Sequence, residues 1–221
     1  MTGNQLAAMT HQLLVEEYGL PNWRPHLSPV GELISTILSQ NTNDQNRDQA
    51  FAQLREVFPT WEEVRDAPVT KVAESIKIGG LANQKAPAIQ NALRTITEER
   101  GQIELDFLRS KTSQEALEWL TKLKGVGPKT AAIVLLFSLD MPAFPVDTHV
   151  FRVSGRIGLR PAKMNPEKAH KFLGEQFSPD TYYPVHLNLI RLGREICKAR
   201  QPFCEQCPLN KICDYYRNEY Q

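Results

Sequence analysis

Four cysteines near the end of the chain have the spacing of a metal site. They are the only cysteines in the sequence and follow the pattern C-x6-C-x2-C-x5-C, as Cys197, Cys204, Cys207 and Cys213. Four thiolates in so short a segment can hold zinc or an iron–sulfur cluster, and the spacing alone does not separate the two. Because the N-terminus lacks the charged start and apolar block of a secretory signal, we expect metal ligands here rather than disulfides.

Basic side chains accompany these cysteines. Arg191 and Arg194 precede Cys197 on a predicted helix, and further lysines and arginines lie within the cysteine segment. Such a group of cations is well placed to meet phosphates. The alternative is that they form a solvated helix face.

A glycine-rich turn stands between two predicted helices, where residues 123–130 are LKGVGPKT. Gly125 and Gly127 permit backbone torsions and close approaches that other residues do not. Pro128 suits the first turn of the following helix, and Val126 is expected to fill the gap between the two helices. A turn of this kind presents N–H groups and a positive helix end to a phosphate. The alternative is an ordinary helix–helix turn that ends at Gly125.

Lys129 and Asp147 carry the candidate covalent chemistry. Lys129 opens the helix after the turn, where we expect a lowered pKa and hence an amine able to attack a sugar carbon and form a Schiff base. Asp147 lies 18 positions later in PVDTH and is a good helix N-cap. For both residues a purely structural role, as a solvated lysine and a cap, is the alternative.

The elements that must position these residues are all helical. Apolar residues recur at helical spacing in five segments, around 30–38, 51–58, 86–96, 117–123 and 185–196. No period-two run predicts a sheet, so the expected fold class is all-α. The chain is 41% hydrophobic with a net charge of +1, which excludes disorder throughout and nucleic-acid binding by bulk charge alone. No segment approaches the roughly 20 apolar residues of a membrane span.

The motifs LKGVGPKTAAIVLL and FPVDTHVFRVSGRIGL resemble the helix–hairpin–helix and Gly/Pro–Asp region of base-excision DNA glycosylases, above all the endonuclease III branch. The resemblance runs from about Val30 to Cys213. It implies two helical lobes with an active-site cleft between them. The lobes are 26–141, with the hairpin motif at about 113–139, and 1–25 plus 142–221, with a [4Fe–4S] cluster on the loop 197–213.

The same resemblance implies the roles of the reactive pair. Lys129 is expected to attack C1′ of the deoxyribose and release the base, while Asp147 stabilises the positive sugar and helps activate the lysine. β-Elimination then nicks the strand. The expected activity is that of a bifunctional DNA glycosylase and AP lyase acting on oxidised pyrimidines. The alternatives are a mismatch- or other-lesion glycosylase of the same scaffold, a non-catalytic DNA-binding module and an electron carrier.

Two further loops resemble those that fill the gap left by an expelled base. In residues 38–44 the position of the usual glutamine is taken by Asn41, with Gln40 just before it, and in residues 78–86 Leu81 is the apolar candidate. A polar turn and a core leucine are the alternatives. The expected partner is duplex DNA with damaged bases or abasic sites, bound by a monomer with no membrane contact. The expected location is the cytoplasm, at the nucleoid in a bacterium or archaeon.

Overall fold

The computed structural model describes residues 2–220, and within them every regular element is a helix. The predicted all-α class is therefore confirmed. The chain divides into two compact units, one formed by Pro25–Met141 and the other by the residues up to Arg24 together with those from Pro142 onward. Among the described residues, no helix has the length and apolar character needed to cross a membrane.

The Pro25–Met141 unit holds the glycine-rich turn and both candidate loops. Its α-helices are α2 (Pro29–Leu38), α3 (Asp44–Val57), α4 (Trp61–Asp66), α5 (Val69–Ser75), α6 (Ala82–Arg100), α7 (Ser113–Lys122) and α8 (Pro128–Ser138), with 3-10 turns at Lys77–Gly79 and Asp106–Ser110. Every residue of α2 is buried, and α2 packs against α8. The apolar residues predicted at helical spacing on α2 and α6 form the core between these helices.

The second unit holds Asp147 and the cysteines. Its α-helices are α1 (Gly3–Tyr18), α9 (Thr148–Ile157), α10 (Pro166–Gly174), α11 (Tyr182–Glu195) and α12 (Asp214–Tyr220), with 3-10 turns at Pro179–Thr181, Cys204–Gln206 and Asn210–Ile212. α11 packs against both α9 and α1, and its apolar face (Val185, Leu189 and Leu192) is buried. The segment between the end of α11 and α12 carries the cysteines.

Side-chain caps begin most of the longer helices. Asn43 accepts a hydrogen bond from the Asn46 amide at the start of α3, and Thr112 forms a capping box with Glu115 at the start of α7. Each cap satisfies backbone donors that a helix leaves unpaired in its first turn. α6, α8 and α11 lack such a cap, and the N-cap residue of α8 is Gly127.

Candidate active site

The turn between α7 and α8 is tight and well anchored. Gly125 has φ +89°, a left-handed conformation that favours glycine, and a Cβ there would lie 3.2 Å from the Ala88 Cβ. The Val126 amide donates to the Leu123 carbonyl at 3.0 Å, and the Val126 side chain is buried. Gly125 therefore closes the turn and Val126 fixes it to the core.

Gly127 serves the turn through space and not through its backbone conformation. Its torsions, φ −92° and ψ 177°, are open to any residue, so of the two properties expected of this glycine the close approach of another backbone is the relevant one. A Cβ at this position would meet nothing within 4 Å. Its missing side chain leaves free space in front of the helix, where another backbone can approach.

The first turn of α8 keeps its hydrogen-bond donors free. Pro128 has no N–H, and none of the amides of Gly127, Lys129 and Thr130 donates to another described residue. These N–H groups sit at the positive end of the helix dipole. Free donors of this kind are what an anion-binding turn requires, and phosphate binding here stays a prediction.

Lys129 lies in this first turn. Its side chain is half-buried, and its ammonium has no hydrogen-bond or ion-pair partner among the residues from 2 to 220. A lysine fixed in an ion pair would have to break that pair before reacting. The amine of Lys129 is free of that cost.

Asp147 caps α9 as predicted. Its Oδ1 accepts a hydrogen bond from the Val150 amide at 2.7 Å, which fixes the orientation of the carboxylate, and the side chain is half-buried. Asp147 and Lys129 belong to different compact units. That they face each other across a cleft stays a prediction.

Two histidines that the sequence analysis did not single out contact the segment 144–146, which leads to Asp147. His170 Nδ1 lies 3.2 Å from the Val146 amide nitrogen and 3.1 Å from the Phe144 carbonyl oxygen. His186 Nδ1 lies 3.0 Å from the Pro145 carbonyl oxygen, and its ring is buried. Neither histidine stands near Asp147 in the sequence, so no spacing signals this support.

The two loops expected to enter DNA present their candidate residues to solvent. Leu81 is 44% exposed with φ +51°, so it does not pack in the core. Asn41 is exposed with φ +52°. The neighbouring Gln40 side chain donates to the Gly125 carbonyl at 3.3 Å, which joins this loop to the glycine-rich turn.

The four cysteines line one small cavity together with Ile196, Pro202 and Tyr216. Burial, with a smaller contribution from the neighbouring cysteines, raises the pKa of Cys207 to about 12, and burial also raises the pKa of Cys213. Among residues 2–220, no three His, Cys, Asp or Glu side chains converge closely enough for one metal ion. The four thiols share this one cavity and are the candidate ligands of a metal site.

Two arginines of α9 that the sequence analysis left without a role hold this segment. Arg152 donates to the carbonyls of Cys197, at 3.0 Å, and Gly193, at 2.7 Å. Arg156 donates to the Lys198 carbonyl at 2.6 Å and to Cys197 Sγ at 3.4 Å. Their i, i+4 spacing, which places both on one face of a helix, was the available signal.

The cations predicted to meet phosphate lie on α11. Arg191 is exposed, pairs with Glu195 at 3.0 Å and stands over the Tyr18 ring at 4.4 Å. Arg194 is exposed on the same helix. Arg191 is thus partly engaged within its own helix, and a role of both residues in binding stays a prediction.

Comparison with known proteins gives a consistent result. A model of the HhH-GPD superfamily of base excision DNA repair proteins matches residues 34–179. The chain is 37% identical over 197 residues to endonuclease III of Thermotoga maritima, which covers 89% of this chain and 88% of that one. It is 33% identical over 186 residues to endonuclease III of Sulfolobus acidocaldarius, at 83% and 81% coverage.

A solved structure extends the likeness to three dimensions. The structure of a trapped endonuclease III–DNA covalent intermediate, an estranged-adenine complex, matches with a TM-score of 0.85 at 27% identity, over 100% of both chains. The candidate site therefore lies within a fold shared from end to end with that protein.

We expect substitution by alanine to act differently at the two glycines of the turn, on DNA affinity at Gly127 and on stability at Gly125. Gly127→Ala should leave thermal unfolding unchanged, because its Cβ meets nothing, but should weaken binding to duplex DNA of every sequence alike. Gly125→Ala should lower the free energy of unfolding by about 1–2 kcal/mol, because alanine is strained at φ +89°. Melting curves and binding isotherms on unrelated duplexes check both. A loss of affinity confined to some sequences would contradict phosphate anchoring by this turn.

Proposed function

Because the chain belongs to the HhH-GPD superfamily of base excision DNA repair proteins, we propose that it is a DNA glycosylase with AP lyase activity. It removes a damaged base from DNA and then cleaves the strand at the abasic site. The observation that supports this most directly is the free amine of Lys129 beside the uncapped N–H groups of α8. A nucleophile and an anion-binding backbone stand side by side.

In this proposal Lys129 is the nucleophile. Its neutral Nζ attacks C1′ of the damaged nucleotide, the C1′–N bond breaks, and the base leaves with the bonding electron pair and takes up a proton. Loss of the second proton from nitrogen and opening of the sugar ring give an imine between Nζ and C1′. The imine acidifies the C2′ proton, and its removal expels the 3′ phosphate by β-elimination. Water then releases Lys129 from the product.

Asp147 supports the first step as a carboxylate. A negative charge beside the sugar stabilises the positive charge that develops as the C1′–N bond lengthens, and it can accept a proton from the attacking amine. The cap to Val150 occupies one carboxylate oxygen, so the second oxygen is available for this role. The histidines that hold residues 144–146 keep the carboxylate in place.

The turn between α7 and α8 serves as the phosphate grip. A phosphodiester accepts hydrogen bonds from the free amides at the start of α8, and the bare Cα of Gly127 permits its approach. This contact reads the DNA backbone and not its sequence, which suits an enzyme that must act wherever a lesion occurs.

The damaged nucleotide must leave the base stack before Lys129 can reach C1′. Leu81, which is exposed and has a left-handed backbone conformation, inserts its apolar side chain into the base stack. Asn41 and Gln40 fill the space that the expelled base leaves. The substrate is duplex DNA with an oxidised pyrimidine, and the active species is a monomer.

The cysteine segment fits an iron–sulfur cluster. Its donors are four thiols in an apolar cavity, and burial raises the pKa of two of them, Cys207 and Cys213. Thiolates in such a cavity require a positively charged group for compensation. Cys197, Cys204, Cys207 and Cys213 would hold a [4Fe–4S] cluster, which when bound orders the loop and lets its cations meet DNA. Arg152 and Arg156 bind that loop to α9, and this contact does not depend on a redox role of the cluster.

Borohydride reduction tests the nucleophile. The wild-type protein should form a covalent adduct with DNA containing an abasic site, and Lys129→Gln should form none while it still binds the DNA. Lys168→Gln is the matched control, because Lys168 also lies in the first turn of a helix that begins with proline, α10. Trapping of Lys129→Gln at the wild-type level would remove Lys129 from the reaction.

Asp147→Asn separates the two roles of that carboxylate. Asparagine caps helices as well as aspartate does, so the melting temperature should stay unchanged, whereas single-turnover base release should fall roughly 100-fold or more. Asp147→Ala should lose about 1 kcal/mol of stability in addition, because it removes the cap. If Asp147→Asn released bases at the wild-type rate, the carboxylate would be a cap and nothing more.

Metal analysis tests the cluster. Protein purified without oxygen should be brown and contain iron and inorganic sulfide, and Cys207→Ser should lower both. A colourless protein with stoichiometric zinc would overturn the assignment, since zinc carries no visible charge-transfer bands.

A further inference from the structure

A buried lysine outside the reactive pair joins the two loops assigned to the base stack. Lys85 is 2% exposed, and its Nζ donates to the carbonyls of Leu38 and Gly79, each at 2.7 Å. Leu38 is the last residue of α2, immediately before the loop with Gln40 and Asn41. Gly79 ends the 3-10 turn two residues before Leu81.

Helix formation does not explain this lysine. Lys85 lies in the first turn of α6, at the positive end of the helix dipole, where a cation is disfavoured. Removal of an ammonium from water is costly as well, and burial accordingly lowers the pKa of Lys85. The two carbonyls compensate for this cost only while the chain at Leu38 and at Gly79 stays within hydrogen-bond distance of Lys85 Nζ.

Both carbonyls need such a partner. The Leu38 carbonyl belongs to the last turn of a fully buried helix, whose terminal carbonyls lack intrahelical donors. Gly79 is buried, and a Cβ there would lie 3.1 Å from the Ala50 Cβ. Among residues 2–220, Lys85 is the donor recorded for both carbonyls, and without its ammonium each carbonyl would pull its loop towards water.

The connection continues to the phosphate-binding turn. Gln40 donates to the Gly125 carbonyl, so one hydrogen-bonded chain runs from the Leu81 loop through Lys85 to the 39–43 loop and on to Gly125. Gly80 and Leu81 follow with consecutive positive φ angles of +68° and +51°, a conformation that the fixed Gly79 must support.

We propose that Lys85 is a positioning residue that fixes the spacing of the Leu81 loop and the Gln40–Asn41 loop, so that both enter the base stack together. This proposal rests on the proposed function. Lys85 touches neither the sugar nor Lys129 in this role, and it acts on expulsion of the nucleotide, before any covalent step.

Lys85→Met tests this, because methionine keeps the length of the side chain without the charge or donors. Single-turnover base release from duplex DNA with a paired oxidised pyrimidine should fall on the order of 100-fold, the scale of a positioning error of about 1 Å. Nicking and borohydride trapping of a single-stranded abasic oligonucleotide, which has no base to expel, should keep the wild-type rate. The fluorescence of 2-aminopurine opposite the lesion should no longer rise on binding.

Ile89→Ala is the control for a merely structural effect. Ile89 is fully buried on the same helix, α6, so this variant loses core packing without touching either carbonyl. Below its melting temperature it should keep both duplex excision and the 2-aminopurine signal. If Lys85→Met fails to fold, Lys85→Gln, whose amide retains two N–H donors, should show the same contrast between substrates at smaller amplitude.

The outcomes separate the two proposals. Equal loss on duplex and single-stranded substrates, or an unchanged 2-aminopurine rise, would overturn the role of Lys85 while an active wild-type protein upheld the proposed function. A wild-type protein that neither releases bases nor traps on abasic DNA would overturn the proposed function itself.

Discussion

The rest of the site depends on one helix start that is left without a side-chain cap. α2, α3, α7 and α9 each begin with a capping side chain, whereas α8 begins at Gly127 and forgoes the roughly 1 kcal/mol that a cap contributes. Packing offsets this missing cap energy, because most of α8 is buried and packs against α2. Its donors stay available to an external anion, and the free amine of Lys129 stands among them. The left-handed Gly125 and the buried Val126 hold this exposed start still.

Cations bound to backbone carbonyls hold segments in both compact units. Lys85 donates to the carbonyls of Leu38 and Gly79, at the start of two loops. Arg109 donates to the carbonyls of Ser138 and Leu139 at the C-terminal end of α8, and Arg156 binds the cysteine segment. A carbonyl partner leaves each bound segment without a carboxylate, so no negative charge is added where DNA phosphates are proposed to lie. In this chain, with its net charge of only +1, the turn at residues 123–130 and the loop at residues 78–86 contain no Asp or Glu. Local arrangement takes the place of bulk charge.

Much of this could be read from the sequence, and the reasons for the rest are physical. Apolar periodicity located α2, α6 and α11, and cap residues such as Asn43 and Thr112 marked where helices begin, because both signals are local. The same holds for the turn at Gly125. His170, His186 and Lys85 escaped notice because their partners are backbone carbonyls and amides far away in the chain, and a backbone group leaves no mark on residue identity. For Gly127 the sequence offers two reasons for a glycine, its torsions or empty space, and only the coordinates distinguish the two.

For Asp147, the cap and the proposed catalytic role, posed by the sequence as alternatives, are compatible. Asp147 caps α9 through one oxygen, and that bond is what fixes the direction of the other. Leu81 begins α6 in a left-handed conformation that a leucine adopts only under constraint, and that constraint is what holds an apolar side chain in water. A reactive or intruding group must be immobile before its target arrives, since ordering it during the reaction would add to the barrier. Local backbone duties supply that immobility, so a cap or a turn at such a position is evidence about orientation and does not argue against function.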